Sequence, residues 1–280
     1  MKKITIISGK GGTGKTTITA GFAAIEKNLI LADCDVDSPN LQILLNPEIK
    51  ETKNYIELLK PTKTNKCTKC GKCREICNFN AINTEIEINQ SKCEGCAACE
   101  YICPENAIKM KNKQIGTIYK SKTKYGPFIH AKLKPGEEAS GKIVTQVQQW
   151  AQKTANKNNT ILIDGSPGIG CPVIASIKST DKTLIVTEPT VSGIHDLKRI
   201  IELTKHFQTK TQVCINKHDL NPKNTKKITE ICKTQKTPVI GKIPYTQLTT
   251  KAMINKQPIT EYTDTEITKK IKKTWKKLKN

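Results

Sequence analysis

The sequence predicts an α/β protein: a doubly wound, mostly parallel sheet interrupted by a small α+β insert. Three observations carry that expectation. Short runs of Ile, Leu and Val alternate with amphipathic helical stretches along most of the chain, a glycine-rich turn separates the first such run from the first helix, and eight of the twelve cysteines fall in one window. Strands alternating with helices build parallel sheets, because each crossover helix returns the chain to the same edge of the sheet. A chain of 280 residues can bury a core without disulfide staples. With 36% hydrophobic and 26% charged residues it is not a disordered chain. No apolar run approaches the roughly 18 residues a membrane span needs. Met1-Lys2-Lys3-Ile4 leads into a strand rather than a signal peptide, so a cytoplasmic protein is expected.

The formal charge is +22, from 47 basic and 25 acidic residues. Only Arg74 and Arg199 are arginines, and the lysines are scattered among Ile, Asn and Thr. Base readers lean on arginine forks and aromatic stacking, yet aromatics make up only 4%, so no specific nucleic-acid partner is expected.

Taken in order, Ile4–Ile7 reads as a buried strand and Thr16–Lys27 as a helix. Between them Gly9-Lys10-Gly11-Gly12-Thr13-Gly14-Lys15-Thr16 matches G-x-x-x-x-G-K-[ST], in the strand-to-helix context that motif requires. Glycines let backbone N–H groups curl around phosphates, and the helix N-terminus adds its positive end. Gly11, Gly12, Thr13, Gly14, Lys15, Thr16 and Thr17 are thus the expected nucleotide-binding residues, with Lys15 reaching the β- and γ-phosphates and the Thr16 hydroxyl ligating Mg2+. A second strand, Leu29–Asp33, runs into Asp33-Cys34-Asp35-Val36-Asp37.

The cysteine window follows, as Cys67-x2-Cys70-x2-Cys73-x3-Cys77 and Cys93-x2-Cys96-x2-Cys99-x3-Cys103. Each cysteine of the first run recurs 26 residues later, and Asn80-Ala81-Ile82 recurs as Asn106-Ala107-Ile108, so the window is an internal duplication. In a cytosolic chain such density argues for ligation rather than disulfides. Three closely spaced cysteines wrap one 4Fe-4S cube, and the fourth of each run completes the other cube. The assignment is Cys67, Cys70, Cys73 and Cys103 for one cluster, and Cys93, Cys96, Cys99 and Cys77 for the other. Zinc sites instead place two ligand pairs across a longer gap. Ile76, Ala81, Ile82, Ile102, Ala107 and Ile108 are expected to form a thin core around the cubes. The window resembles the bacterial two-cluster ferredoxins, departing from them at Asn78, where that family usually has proline.

Beyond it, Ile143–Lys153, Gly193–Phe207 and Lys223–Thr234 read as helices. Thr160–Asp164, Thr183–Val186 and Gln212–Ile215 read as strands. Asp164 ends a buried strand and is followed by Gly165-Ser166-Pro167-Gly168-Ile169-Gly170. An acid so placed suits work in the outer shell of Mg2+. Ile267, Ile271, Trp275 and Leu278 share one face of a lysine-rich terminal helix, which is expected to pack on the sheet rather than to bind a membrane.

Lys10 decides the family resemblance. A lysine at that point of the loop resembles the signature of the deviant Walker A ATPases, the P-loop NTPase group of MinD, ParA, Mrp and the nitrogenase iron protein. The resemblance implies an ATP-bound homodimer in which Lys10 reaches the partner's phosphates. It also implies that Asp35 orients the attacking water, with Asp33 or Asp37 near the metal, and that Asn216 reads the adenine edge. The stretch 130–138 and Thr187-Glu188-Pro189-Thr190 with Gly193 and Asp196 add to the likeness. Cys171 follows Asp164 at the spacing of a cluster ligand in the nitrogenase iron protein, but no cysteine lies between Cys103 and Cys171, so it is expected to be a packed small residue. The domains expected are an ATPase, 1–60 and 117–280, and an inserted ferredoxin domain, 61–116. The function expected is ATP binding and hydrolysis, with dimer closure coupled to electron transfer or metallocluster maturation. ATP, Mg2+ and two 4Fe-4S clusters are implied, together with a redox or cluster-acceptor protein as partner. The alternatives are an iron–sulfur carrier for apo-proteins and a MinD-like positioning ATPase whose clusters sense redox state.

Overall fold

The computed structural model of the chain describes residues 1–137 and 140–280, except for the side chains of residues 57–59. Glu138, within the stretch 130–138 noted above, lies outside the described residues. The elements in order are β1 (Lys2–Ser8), α1 (Lys15–Ile25), β2 (Leu29–Asp33), α2 (Leu41–Leu45), β3 (Glu48–Lys63), α3 (Lys72–Glu75), α4 (Ala98–Tyr101), β4 (Ile108–Thr123), β5 (Gly126–Leu133) and α5 (Gly141–Thr154). They continue with β6 (Thr160–Pro167), α6 (Cys171–Ile177), β7 (Lys182–Thr187), α7 (Val191–His206), β8 (Lys210–Asn216), α8 (Pro222–Thr234), β9 (Val239–Ile243), α9 (Leu248–Ile254), α10 (Ile259–Tyr262) and α11 (Glu266–Lys279). The chain divides into two compact units, one of Met1–Lys53, Ile118–Lys132 and Glu138–Asn280, the other of Asn54–Thr117 with Leu133–Glu137.

The sheet has the strand order β3-β4-β5-β2-β6-β1-β7-β8-β9. β1 pairs in parallel with β6 and β7, β2 with β5 and β6, and β8 with β7 and β9. Strands covered on both faces are continuous apolar runs rather than alternating ones. β1 follows that rule: Ile4 and Ile6 enter one buried cluster with Phe22, Leu31, Leu162 and Leu184, while Ile7 enters another with Ile185, Val213, Ile215 and Ile228. Register positions the chemistry. Asp33 ends β2 and lies beside Asp164, which stands within β6 rather than at its end because that strand continues to Pro167, so two acids meet on adjacent parallel strands.

Helix α11 contributes its whole apolar face to this core. Ile267, Ile271, Trp275 and Leu278 are each at most 4% exposed, Trp275 lies 4.9 Å from Phe22 between ring centroids, and its Nε1 donates to Glu26 at 2.6 Å. Burial of such side chains stabilises by roughly 1.5–3 kcal/mol each, so the face is committed to the sheet and not to a lipid surface. Among the described residues no helix is long and apolar enough to cross a membrane.

Three strands lie outside the sequence expectation. β3 and β4 are lysine-rich and half-exposed, so they lack the apolar runs that mark the central strands. β4 turns into β5 across Lys124 and Tyr125, with Thr123 Oγ1 donating to the Gly126 carbonyl at 2.8 Å. Gly126 has φ +134°, and a Cβ there would meet the Leu29 carbonyl at 2.4 Å, which requires glycine at this turn.

The second unit carries the duplication in its backbone. α3 and α4 are single turns entered through left-handed residues, Gly71 at φ 82° and Ala97 at φ 63°. Asn80 and Asn106 repeat a left-handed φ of 48° and 49°. Each is followed by an amide that donates to a cysteine: Ala81 N to Cys77 Sγ at 3.4 Å, and Ala107 N to Cys103 Sγ at 3.2 Å. The small core contains Ile82, Ile86, Ile108, Cys73 and Cys99. Ile76 and Ile102, expected inside, are 44% and 38% exposed, because each stands at the C-cap of its one-turn helix; Ile86 and Ile88 pack in the cluster instead.

Candidate functional site

The loop between β1 and α1 is shaped by two left-handed glycines, Gly12 at φ 79° and Gly14 at φ 88°. Gly14 immediately precedes α1 and has no side chain to cap it, so the first amides of the helix are left for an anion. Gly11 is open, Thr17 is partly exposed, and the Thr13 hydroxyl is buried with no partner among the described residues.

Asp164, fully buried, gathers the site. Its carboxylate accepts from Lys15 Nζ at 2.9 Å, from Thr16 Oγ1 at 2.7 Å and from Thr19 Oγ1 at 3.0 Å. Lys15 also reaches Asp35 at 3.5 Å. Burial by itself would lower the Lys15 pKa, but Asp164, Asp35 and Asp33 outweigh it and hold the ammonium charged. Burial, followed by the Asp164 charge, pushes Asp33 well above the carboxylate range. Burial also raises Asp35, against the pull of Lys15. The Asp33 oxygens accept from the Asp35 amide at 3.0 Å and the Leu41 amide at 3.2 Å, fixing the segment that carries Asp35, whereas Asp37 is exposed. Asp164 and Asp35 beside Lys15, with the Thr16 hydroxyl, offer the oxygen donors that a divalent cation takes.

From the other side, Asn216 at the end of β8 donates through Nδ2 to the Thr13 carbonyl at 2.8 Å, and Lys217 Nζ donates to the Gly12 carbonyl at 3.1 Å. Lys10 does not point away from its own chain. Its Nζ pairs with Glu188 at 2.7 Å and donates to Thr190 at 3.2 Å and Ser192 at 3.0 Å. Thr19, Lys217 and Glu188 were not among the residues singled out by sequence reasoning as site residues. Thr19 could have been found by its i+4 spacing from Lys15 on one helix face.

Residues 4–259 match the family described as the CobQ/CobB/MinD/ParA nucleotide binding domain. The chain belongs to that family. An uncharacterized protein of Methanocaldococcus jannaschii is 36% identical to this MinD/ParA-family chain over 222 residues, 78% of the chain and 79% of the relative. The septum site-determining protein MinD of Buchnera aphidicola (subsp. Baizongia pistaciae) is 25% identical over 205 residues, 71% of this chain and 57% of its own length. Among solved structures, MinD of Pyrococcus horikoshii complexed with Mg-ADP superposes with TM-score 0.62 at 16% identity, covering 99% of this chain and 95% of that one. A MinC:MinD complex from Aquifex aeolicus gives 0.59 at 21%, covering 100% and 96%. At these identities the solved structures show a shared fold.

In the second unit of this family member, the eight cysteines of the repeat line two cavities. Cys67, Cys70, Cys73 and Cys103 line one with Ile86 and Ile108; Cys77, Cys93, Cys96 and Cys99 line the other with Ile82 and Ile88. Each cavity thus takes three cysteines from one run and the last from the other. Among the described residues no three His, Cys, Asp or Glu side chains converge closely enough to hold a single metal ion. Cys34, Cys214 and Cys232 are buried in the first unit, and burial pushes the Cys214 thiol up to about 12 and that of Cys232 to about 11. Cys171 is exposed rather than packed, because it opens α6 directly after the bend 168–170 and precedes Pro172.

Proposed function

We propose that the chain binds and hydrolyses ATP with Mg2+, carries two 4Fe-4S clusters in an inserted ferredoxin-like domain, 61–116, and couples closure of an ATP-bound homodimer to electron transfer or metallocluster maturation. The ATPase part rests on the convergence of Lys15, Thr16, Thr19 and Asp35 with Asp164, and the Mg-ADP named for the Pyrococcus horikoshii structure supports the choice of ligand. Hydroxyl and carboxylate oxygens suit Mg2+, and Thr16 with Asp164 would hold it, where it would neutralise charge on the phosphates. Lys15, kept charged by three carboxylates, binds the β- and γ-phosphates. The amides of Gly11 to Thr17 curl around the phosphate chain. Asp35 orients the attacking water, and its raised pKa equips it to accept the proton. Asn216, already tied to the phosphate loop, holds the adenine edge. Lys10 crosses to the phosphates of a second copy.

The cluster part rests on the lining of the two cavities. Four thiols lining each cavity, three from one run and the last from the other, suit the ligand set of a 4Fe-4S cube, whereas zinc sites place two ligand pairs across a longer gap. The two sets would be Cys67, Cys70, Cys73, Cys103 and Cys93, Cys96, Cys99, Cys77. Clusters of this type supply one-electron chemistry tuned by hydrogen bonds to sulfur, such as the amides of Ala81 and Ala107 donate. The partner implied is a redox protein or cluster acceptor.

Anaerobically prepared protein should contain about eight iron and eight acid-labile sulfide per chain, and Cys77→Ser should reduce both to about four. Stoichiometric zinc without sulfide would overturn the cluster part. Reduction kinetics with and without ATP test the coupling, and identical kinetics would mean that the two activities are merely fused.

A further inference from the structure

The Glu188 carboxylate is mostly buried, with 12% of its side chain exposed, and it is shared between two ammonium groups that flank the phosphate loop. Oε1 takes Lys10 at 2.7 Å and Oε2 takes Lys217 at 2.9 Å, while Lys217 also binds the Gly12 carbonyl at 3.1 Å. Burial opposes the charge on Glu188, but the hydrogen bonds from Lys10 and Lys217 override it and hold the carboxyl below its ordinary range. The other two Lys10 partners, Thr190 and Ser192, belong to the same β7–α7 junction. Thr190 caps α7 through Gly193 N at 3.0 Å, a bond that does not depend on Lys10. The junction can therefore lose Lys10 without losing its helix cap. Lys10 is the more exposed member of the pair, at 32% of its side chain.

We infer that Glu188 is a positioning residue that holds Lys10 within its own chain, so that Lys10 must leave Glu188 before it can meet the phosphates of a second copy. This rests on the reading above that Lys10 acts across an ATP-bound dimer. The carboxylate serves as an internal anion competing with the phosphates of the nucleotide. Lys217 stays with it when Lys10 departs, so the released carboxylate is not stranded, and the competition is set by the single, partly buried Lys10–Glu188 ion pair.

The test is sedimentation velocity of the full chain against increasing AMPPNP, a non-hydrolysable ATP analogue. Glu188→Gln keeps the size of the side chain and removes its charge, and should bring half-dimerisation to an analogue concentration about fivefold lower, the worth of about one partly exposed ion pair. Glu188→Ala, which removes the acceptor as well, should shift at least as far and serves if the Gln variant does not fold. A merely structural role would raise the analogue requirement in both. Lys10→Ala separates the two ideas. If it dimerises like wild type, the cross-dimer role of Lys10 fails whatever Glu188 does. If it stays monomeric while neither Glu188 variant lowers the requirement, the Glu188 inference is overturned and the dimer reading stands. The double variant Lys10→Ala, Glu188→Gln should behave as Lys10→Ala alone.

Discussion

Replacing Lys15 with Ala should damage the fold as well as the chemistry. Lys15 is 5% exposed and is the cation shared by Asp164 at 2.9 Å and Asp35 at 3.5 Å, with Asp33 fully buried behind them. Its removal strands carboxylates that already repel one another, and breaking a buried ion pair on one side costs about 3–5 kcal/mol. For a chain of this size that corresponds to a fall in Tm of roughly 10 °C. The loss should depend on pH in a defined direction. Burial and mutual repulsion raise the pKa values of Asp33 and Asp35 in the folded chain, so the folded state binds more protons than the unfolded one wherever those groups titrate. Without Lys15 they rise further. Stability of the variant should therefore improve as pH falls from neutral towards those raised values, narrowing the gap to wild type. Differential scanning calorimetry of both proteins between pH 7.5 and pH 5.5 measures this, with ATP hydrolysis, expected to vanish, followed in parallel. A variant that loses hydrolysis but melts with wild-type Tm and wild-type pH dependence would refute the ion-cluster argument and leave Lys15 as a phosphate ligand only.

Asp35→Ala should bind ATP and sediment as a stable dimer without turnover, because the oxygen aligned on water is lost while the Lys15–Asp164 pair remains; hydrolysis at the wild-type rate would remove Asp35 from its assigned role. His130 is 3% exposed, stacked 4.9 Å from Tyr119 and 4.6 Å from Phe128, and burial lowers its pKa to about 4. The unfolded chain binds that proton near pH 6.5, so stability should fall by up to about 3 kcal/mol between pH 6.5 and 4. His130→Phe should flatten that segment of the stability profile, and an unchanged slope would show that other groups carry it.

Much of this protein was legible because its chemistry is local. The loop from Gly9 to Thr16 is contiguous, Gly12 and Gly14 adopt left-handed angles that bend it, and the strand before it and the helix after it are written in apolar period. The apolar runs at 4–7, 29–33, 160–164, 183–186 and 212–215 lie in strands because buried parallel strands tolerate little else. The cysteine duplication is readable for the same reason, since its spacing repeats within one short window. β3 and β4 were not legible, because a half-exposed strand rich in lysine resembles a solvated loop until its partners are known. Nor was the setting of Lys10. Its residue type and place in the loop imply a reach to another subunit, yet its nearest acid within the chain, Glu188, comes from the far side of β1, at the end of β7, and Lys217 arrives from the end of β8. Sequence alone determines which residues carry charge and which stretches must be buried. Which buried charges meet is decided by strand order and register, because parallel strands bring together the C-terminal ends of segments remote in the chain, as Asp33 is set beside Asp164.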